Sequence, residues 1–164
     1  MNLIYDRTAE DVERALALAK KAEAGTLTDA EKTEWLAGMK GCYNASDMNR
    51  VEAAVQTLAA ELNAAGYTVE TIPQSFAETD IVRLPQWRQY LANVQALRDA
   101  YYTLAETGQL PAPEDKLGYV GANNIEKVLA DIDLLIGWMK SSYRRCGTFQ
   151  AGNNAAHLPL KGSA

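Results

Sequence analysis

The sequence predicts a mainly α protein: a small antiparallel bundle of three long helices, with a helical hairpin before it and an extended arm after it. Three observations predict this fold. In three long stretches, apolar residues recur at alternating spacings of three and four, the heptad pattern of helices that lie side by side. Each stretch is followed by a glycine, a common helix terminator. Residues 146–164 lack this periodicity, so we predict a helical domain over residues 1–145 and an extended tail or arm over residues 146–164.

Local signals predict the hairpin near the N-terminus. Thr8 can cap a first helix. Thr28 and Glu31 have the spacing of a capping box, in which the Thr oxygen and the Glu carboxylate each bind a backbone N–H that the helix leaves free. A short second helix should therefore follow and end around Gly38 or Gly41. The predicted core-facing residues of the first helix are Val12, Leu16 and Ala19.

The three long stretches predict one helix each. The first runs from the capping residues near Asn44 to Gly66, the second from Pro85 to Gly108, and the third from near Gly121 to Gly147. Residues 68–73 predict a short strand or an extended link. The predicted core-facing residues are Met48, Val51, Val55, Leu58 and Leu62 in the first helix, Trp87, Tyr90, Val94, Leu97, Tyr101 and Leu104 in the second, and Ile125, Val128, Ile132, Leu135, Met139 and Tyr143 in the third.

Two stretches of the chain nearly repeat each other. Residues 42–55 and 119–129 each contain a tyrosine and then a four-residue motif, Asn-Arg-Val-Glu at 49–52 and Asn-Asn-Ile-Glu at 123–126. We interpret them as two equivalent docking corners of the bundle, with Asn49 and Asn123 bound to loop backbone. The tyrosine ring would lie on the end of the bundle with its hydroxyl in solvent. This helix-start motif comprises Tyr43, Asn44, Asp47, Asn49, Arg50 and Glu52 in one copy, and Tyr119, Asn123, Asn124 and Glu126 in the other.

Charge and hydropathy argue against two classes of partner. Lys and Arg number 16 against 21 Asp and Glu, which gives a net charge of −5. Binding of nucleic acid relies on cationic contacts to phosphates, so this balance argues against it. The most apolar run, residues 128–139, contains Asp131 and Asp133, which argues against a membrane span. We therefore expect neither a nucleic acid nor a membrane as a partner.

Residue types that carry catalysis or metal chemistry are few. His157 is the single histidine, so one chain cannot supply a histidine-dependent triad or a multi-histidine metal site. Cys42 and Cys146 lack CxxC spacing, and we expect two reduced thiols unless the two helix ends meet. The sequence contains no glycine-rich phosphate-binding motif. We expect no metal, no cofactor, no catalytic residue and no enzymatic activity.

Glu52 and Glu126 leave one enzymatic alternative open. Each closes a copy of the repeated motif, and two facing carboxylates can do acid–base work when burial or mutual repulsion shifts their pKa values. In the structural alternative, which we prefer, both lie early in their helices and interact with the helix dipole or with Arg50.

Residues 146–164 differ in composition from the rest of the chain. They are rich in Gly, Asn and Ala and contain no acidic residue, so they have little apolar surface to bury. We expect either a loosely packed tail or an arm that becomes ordered on a neighbouring subunit. In the second case the protein-contacting anchors are Phe149, Leu158 and Leu160.

The order of these motifs resembles a family of minor structural proteins encoded in the tail or baseplate modules of phages and prophages of Firmicutes. In that family a Y-N-x-x-D-x-N-R-[VI]-E helix start, a preceding AEWLAGMKG-like stretch and a later N-x-I-E helix recur in this order. The likeness covers most of residues 1–150. After Gly147 the chain departs from the pattern, because relatives often continue with a β-rich segment or further domains. The matching positions are Trp35 to Gly41, Tyr43, Asn44, Asp47, Asn49 to Glu52, and Asn124 to Glu126.

The resemblance implies a non-enzymatic tail or baseplate protein and transfers no catalytic residue. It implies assembly through helical faces and the C-terminal arm, with other phage tail or virion proteins as partners. We expect a homo-oligomer that is located in the virion tail after assembly in the bacterial cytoplasm. The alternative, from another class, is a cytosolic helical ligand-binding or regulatory interaction module with aromatic side chains around a pocket.

Overall fold

A computed structural model of the chain describes residues 1–146, and the side chains of residues 1–142. Within that range the protein is mainly helical and forms no strand, which confirms the predicted fold class. Phe149, His157, Leu158 and Leu160 lie outside the described residues, as does the side chain of Cys146. The helices are α1 (Ala9–Glu23), α2 (Asp29–Leu36), α3 (Ala45–Ala64), α4 (Leu84–Ala100) and α5 (Tyr119–Cys146).

Capping boxes begin the first two helices. The Thr28 hydroxyl accepts a hydrogen bond from the Glu31 N–H at 3.3 Å, and the Glu31 carboxylate accepts from the Thr28 N–H at 3.0 Å. Thr8 and Asp11 form the same reciprocal pair at the start of α1. Both starts are therefore set by residues three positions apart in the sequence, and the predicted capping box at Thr28 is confirmed.

The core lies between α3, α4 and α5. All five apolar residues predicted to face the core from α3 are buried, as are four core positions on α4 and five on α5. Burial of side chains of this size stabilises a fold by roughly 1.5–3 kcal/mol each relative to exposure. The α4 and α5 members of the core are Tyr90, Leu91, Val94 and Leu97, and Ile125, Val128, Leu129, Ile132 and Ile136.

The second long helix is shorter than predicted. α4 ends at Ala100 instead of continuing to Gly108, and Tyr101 is extended, with φ −135° and ψ 172°. Here a tertiary contact overrides the periodic pattern, because the Tyr101 ring lies edge-on against Tyr67, with the ring centroids 5.1 Å apart. Leu104 therefore lies in the loop before α5 rather than on a helical face.

Predictions for the last helix also need correction. α5 begins at Tyr119 rather than near Gly121, so Tyr119 is the first residue of the helix instead of preceding it. Ile136, and not Leu135, is the deeply buried residue at that level of the helix. Trp138, next to the predicted core position Met139, is 55% exposed.

The N-terminal hairpin contributes less buried surface than predicted. In α1 the buried residues are Ala15 and Leu18, whereas Leu16 is 57% exposed and was wrongly placed on the core face. α2 is exposed or half-buried along its whole length. The loop after α2 contacts α1 closely, since a Cβ at Gly41 would lie 2.0 Å from the Asp11 carbonyl oxygen.

Residues 68–73 form an extended link and not a strand. The link continues toward Phe76, and the side chains of Val69 and Phe76 are buried in the core. None of the helices within residues 1–146 is long and apolar enough to cross a membrane.

Candidate functional site

The two copies of the repeated motif each hold an extended segment of the chain. The Asn49 side-chain amide donates to the Phe76 carbonyl at 2.7 Å and accepts from the Phe76 N–H at 2.9 Å. Asn123 does the same with Arg7, donating at 2.8 Å and accepting at 3.0 Å. We call this arrangement, in which one Asn side chain binds both backbone groups of one residue, an asparagine clasp. Each clasp satisfies backbone groups that lie outside any helix.

The glutamate three residues after each of these asparagines holds the same segment at a second point. Glu126 accepts a hydrogen bond from the Ile4 N–H at 2.7 Å. Glu52 accepts from the Gln74 N–H at the longer distance of 3.5 Å and from the Asn93 side chain at 3.1 Å. The Asn-x-x-Glu spacing therefore places two acceptors one helical turn apart along an extended chain.

Two further asparagine clasps were missed by the sequence reasoning. Asn63 binds the N–H and the carbonyl of Val69 at 2.9 and 3.0 Å, and Asn93 binds those of Ile72 at 3.0 and 2.7 Å. A signal for Asn93 exists in the sequence, because it lies inside a predicted helix beside the core position Val94. Asparagine is unfavourable inside a helix because its side chain competes for backbone hydrogen bonds. An asparagine beside a core position therefore predicts a specific hydrogen bond to a group outside the helix.

Four charged side chains form a cluster where the N-terminal segment, α3 and α5 meet. Arg7 lies 3.1 Å from Asp47 and 2.8 Å from Glu126, and Arg50 lies 2.9 Å from Glu126 and 2.5 Å from Asp47. We call these residues the charge cluster. Its two guanidinium groups balance its two carboxylates, so the cluster is neutral as a whole. Such a balance is what makes the burial of ionised groups tolerable.

Hydrogen bonds and burial act in opposite directions on the charge cluster. Burial alone would lower the pKa of Arg50, but hydrogen bonds to Glu126 and Asp47 outweigh it and raise that pKa. Arg7 also donates to the backbone carbonyls of Lys40 at 3.1 Å and Ile4 at 2.5 Å. The cluster therefore holds the N-terminal segment and the loop before α3 together.

The structure separates the partners of the two glutamates. Glu126 is bound by Arg7, Arg50 and the Ile4 N–H, whereas Glu52 is bound by Asn93 and the Gln74 N–H. Burial raises the pKa of Glu52, and the hydrogen bonds from Asn93 and Gln74 oppose that rise. Within the described residues, every buried side-chain nitrogen and oxygen has a hydrogen-bond partner. The interaction with Arg50 expected for these glutamates is made by Glu126.

The two motif tyrosines have different surroundings. The Tyr43 hydroxyl shares a hydrogen bond of 2.6 Å with the Tyr90 hydroxyl, and the Arg7 guanidinium carbon lies 5.2 Å from the centre of the Tyr43 ring. The expectation that the Tyr43 hydroxyl faces solvent is therefore wrong, and burial raises the pKa of both tyrosines of that pair. Tyr119 is 39% exposed and begins α5.

The remaining residues of the helix-start motif have structural partners. Asn44 caps α3 by accepting from the N–H groups of Ser46 and Asp47 at 3.0 and 3.2 Å. Asn124 donates to the Gln109 carbonyl at 2.8 Å, which holds the loop before α5. Asn44 thus fixes the start of α3, and Asn124 connects α5 to a neighbouring segment.

The described part of the chain contains one free cysteine and no cluster of potential metal ligands. Residues 1–146 contain no group of three or more His, Cys, Asp or Glu side chains that could hold a metal ion. Cys42 is a free, half-buried cysteine, and burial, followed by the charge of Asp47, raises the pKa of its thiol.

In the comparisons with known proteins, no family model, no curated protein and no solved structure matched this chain.

Proposed function

We propose that the protein is a non-enzymatic structural component of a phage or prophage tail or baseplate. One observation supports this above others: the residues that carry the family resemblance are used to join segments of the chain. Asn49 binds the Phe76 backbone in a clasp, and Glu126 binds the Ile4 N–H. Asp47 and Arg50 belong to the charge cluster, and Asn44 caps α3. A motif used in this way fixes the positions of the helices and segments. A protein that acts by offering its surfaces to binding partners requires such a fixed arrangement.

Apolar side chains on α5 offer a surface for assembly. Leu134 is 45% exposed and Trp138 is 55% exposed. They are four residues apart on the helix and therefore share one face. Trp is enriched among the residues that dominate the energy of protein–protein contacts.

In this proposal, copies of the chain and other tail proteins contact the Leu134–Trp138 face and the C-terminal arm with its anchors Phe149, Leu158 and Leu160. The protein is then a homo-oligomer that reaches the virion tail after assembly in the bacterial cytoplasm.

Light scattering combined with size-exclusion chromatography tests self-association. The wild-type protein should have a mass of at least twice the 17.9 kDa of one chain. The double substitution Leu134→Ser with Trp138→Ser should shift it toward the monomer. Leu16→Ser is the matched control, because Leu16 is 57% exposed but lies on α1, and it should leave the mass unchanged.

A second measurement separates a tail component from any other oligomer. The chain should co-purify with tail particles when it is expressed with the tail genes of its own genome. A wild-type protein that is a compact monomer and is absent from such particles would refute the proposed function.

A further inference from the structure

The two copies of the repeated motif face each other across a cleft. Its volume is about 270 Å³, just below the range of roughly 300–1,000 Å³ that is typical of small-molecule sites. Gly41, Cys42 and Tyr43 line it at the start of the first copy, and Leu117, Gly118 and Tyr119 line it at the start of the second. Apart from Arg7, no member of the clasps or of the charge cluster lines this space, so the structural role of the motif leaves most of the cleft unused.

The walls of the cleft are mostly apolar and aromatic. Val12 and Ala122 add aliphatic surface to the rings of Tyr43 and Tyr119. The Cys42 thiol belongs to this surface too, since its raised pKa keeps it protonated and uncharged at neutral pH. A ligand that displaces water here would bury apolar surface on several sides.

The charged groups that line the cleft are all cationic. They are Arg7 and Lys116, and among the described residues no carboxylate lines it. Arg7 is neutralised by Asp47 and Glu126 within the charge cluster. Lys116 is exposed and makes no ion pair with any of the residues 1–142 whose side chains are described. A cation without a counter-charge therefore lies beside an apolar cavity.

We propose that this cleft binds a small apolar molecule that carries a single carboxylate, with the apolar part between Tyr43 and Tyr119 and the carboxylate at Lys116. The cavity volume limits the ligand to a compact aromatic or short aliphatic acid. This site is independent of the proposed assembly role, because the cleft lies at the motif end of α5 and the Leu134–Trp138 face lies further along that helix.

Protection of Cys42 from alkylation reports occupancy of the cleft directly. The full chain carrying Cys146→Ser has one cysteine left, and its rate of reaction with iodoacetamide can be followed by mass spectrometry. The probes are 4-phenylbutyrate, octanoate and 4-phenylbutyramide, the uncharged analogue of the first. Both acids should slow the reaction, and the amide should need a concentration roughly two- to fivefold higher for the same effect. That ratio corresponds to the strength of an ion pair at an exposed lysine.

Two substitutions with matched controls make the test specific. Lys116→Gln should remove the difference between acid and amide, whereas Lys20→Gln, at an exposed position on α1, should preserve it. Gly118→Leu adds a side chain at a lining position where a Cβ meets nothing within 4 Å, and it should abolish protection. Gly137→Leu, at an equally open position within α5 and away from the cleft, should leave protection intact.

The outcomes decide the proposal whatever the oligomeric state proves to be. Failure of both acids to protect Cys42, or unchanged protection in Gly118→Leu, would overturn the site. Equal protection by the acid and the amide in the Cys146→Ser chain would overturn the assignment of a carboxylate ligand. Circular dichroism of each variant checks that it is folded. If Gly118→Leu does not fold, Lys116→Gln still tests the site, because it changes only one exposed side chain.

Discussion

Arg7 and Glu126 are separated by 119 residues in the chain, and their side chains meet at 2.8 Å in a buried ion pair. Removing one member of such a pair leaves a buried charge with too few partners, which costs about 3–5 kcal/mol. We therefore expect Arg7→Met to lower the free energy of unfolding by about 3 kcal/mol, as measured by urea denaturation. Arg14→Met breaks an ion pair with Glu34 at the surface and should cost less than about 1 kcal/mol. Equal losses in the two variants would contradict a structural role for the charge cluster.

The asparagine clasps should act locally. Asn49→Ala removes both partners of the Phe76 backbone, and Asn123→Ala removes those of Arg7. Each unpaired buried backbone group costs about 1–3 kcal/mol, so each variant should be destabilised on that scale. Native-state hydrogen exchange should show lost protection of the Phe76 amide in Asn49→Ala only, and of the Arg7 amide in Asn123→Ala only. Each variant is thus the control for the other, and loss at both amides in either one would show that the clasps are not separate.

Stability should respond to pH in opposite ways through Glu52 and Glu31. Burial raises the pKa of Glu52 above its ordinary value of 4.5, so the folded state holds this proton more tightly than the unfolded state does. The contribution of Glu52 to the free energy of unfolding is complete below pH 4.5 and is lost as the pH rises through the raised pKa. The wild type should therefore gain stability relative to Glu52→Gln when the pH falls from about 7 to about 4.5.

Glu31 supplies the opposite case. A hydrogen bond from Lys21, followed by one from the Thr28 backbone, lowers the pKa of Glu31 from 4.5 to about 2. Its contribution is present above 4.5 and is lost as the pH falls toward about 2, so the wild type should lose stability relative to Glu31→Gln over that range. Urea titrations of the three proteins at several pH values measure both differences, and the same sign for both would contradict the assignment.

Close approach of two backbone segments should make Gly41 intolerant of any side chain. A Cβ there would lie 2.0 Å from the Asp11 carbonyl oxygen, a rigid backbone atom, so Gly41→Ala must separate α1 from the loop before α3. We expect a loss of about 1–3 kcal/mol, the cost typical of overpacking. In Gly137→Ala the new methyl group meets nothing within 4 Å inside a helix, which should stabilise the protein by about 0.5–1 kcal/mol. Thermal denaturation of both variants provides the comparison.

The parts of the fold that could be predicted from sequence depend on neighbouring residues. The capping box at Thr28 and the buried face of α3 follow from short spacings, and both agree with the structure. The end of α4 could not be predicted in this way, because the contact that removes Tyr101 from the helix is with Tyr67, in the loop after α3. A periodic pattern reports which residues could share a helical face, and tertiary contacts decide where that helix stops.

The candidate site shows the same limit. The repeated motif identified Asn49, Asn123 and Glu126, but it contains no information on the residues they bind. Arg7 lies in a segment without periodicity, so nothing nearby in the sequence marks it as a buried partner of Glu126. The cleft between Tyr43 and Tyr119 was unpredictable for a related reason: it exists only because the loop before α3 lies beside the start of α5.

The long separation between Arg7 and Glu126 has a consequence for synthesis on the ribosome. The N-terminal segment is made first, yet its anchoring partner on α5 emerges only after most of the chain has been translated. Until then we expect water to hydrate the guanidinium of Arg7 in the nascent polypeptide. Within the charge cluster, Asp47 can then form an ion pair with Arg50 but not with Arg7. Docking of the first residues is therefore expected to be among the last steps of folding, because the N-terminal segment can bind in its final position only after α5 has been synthesised.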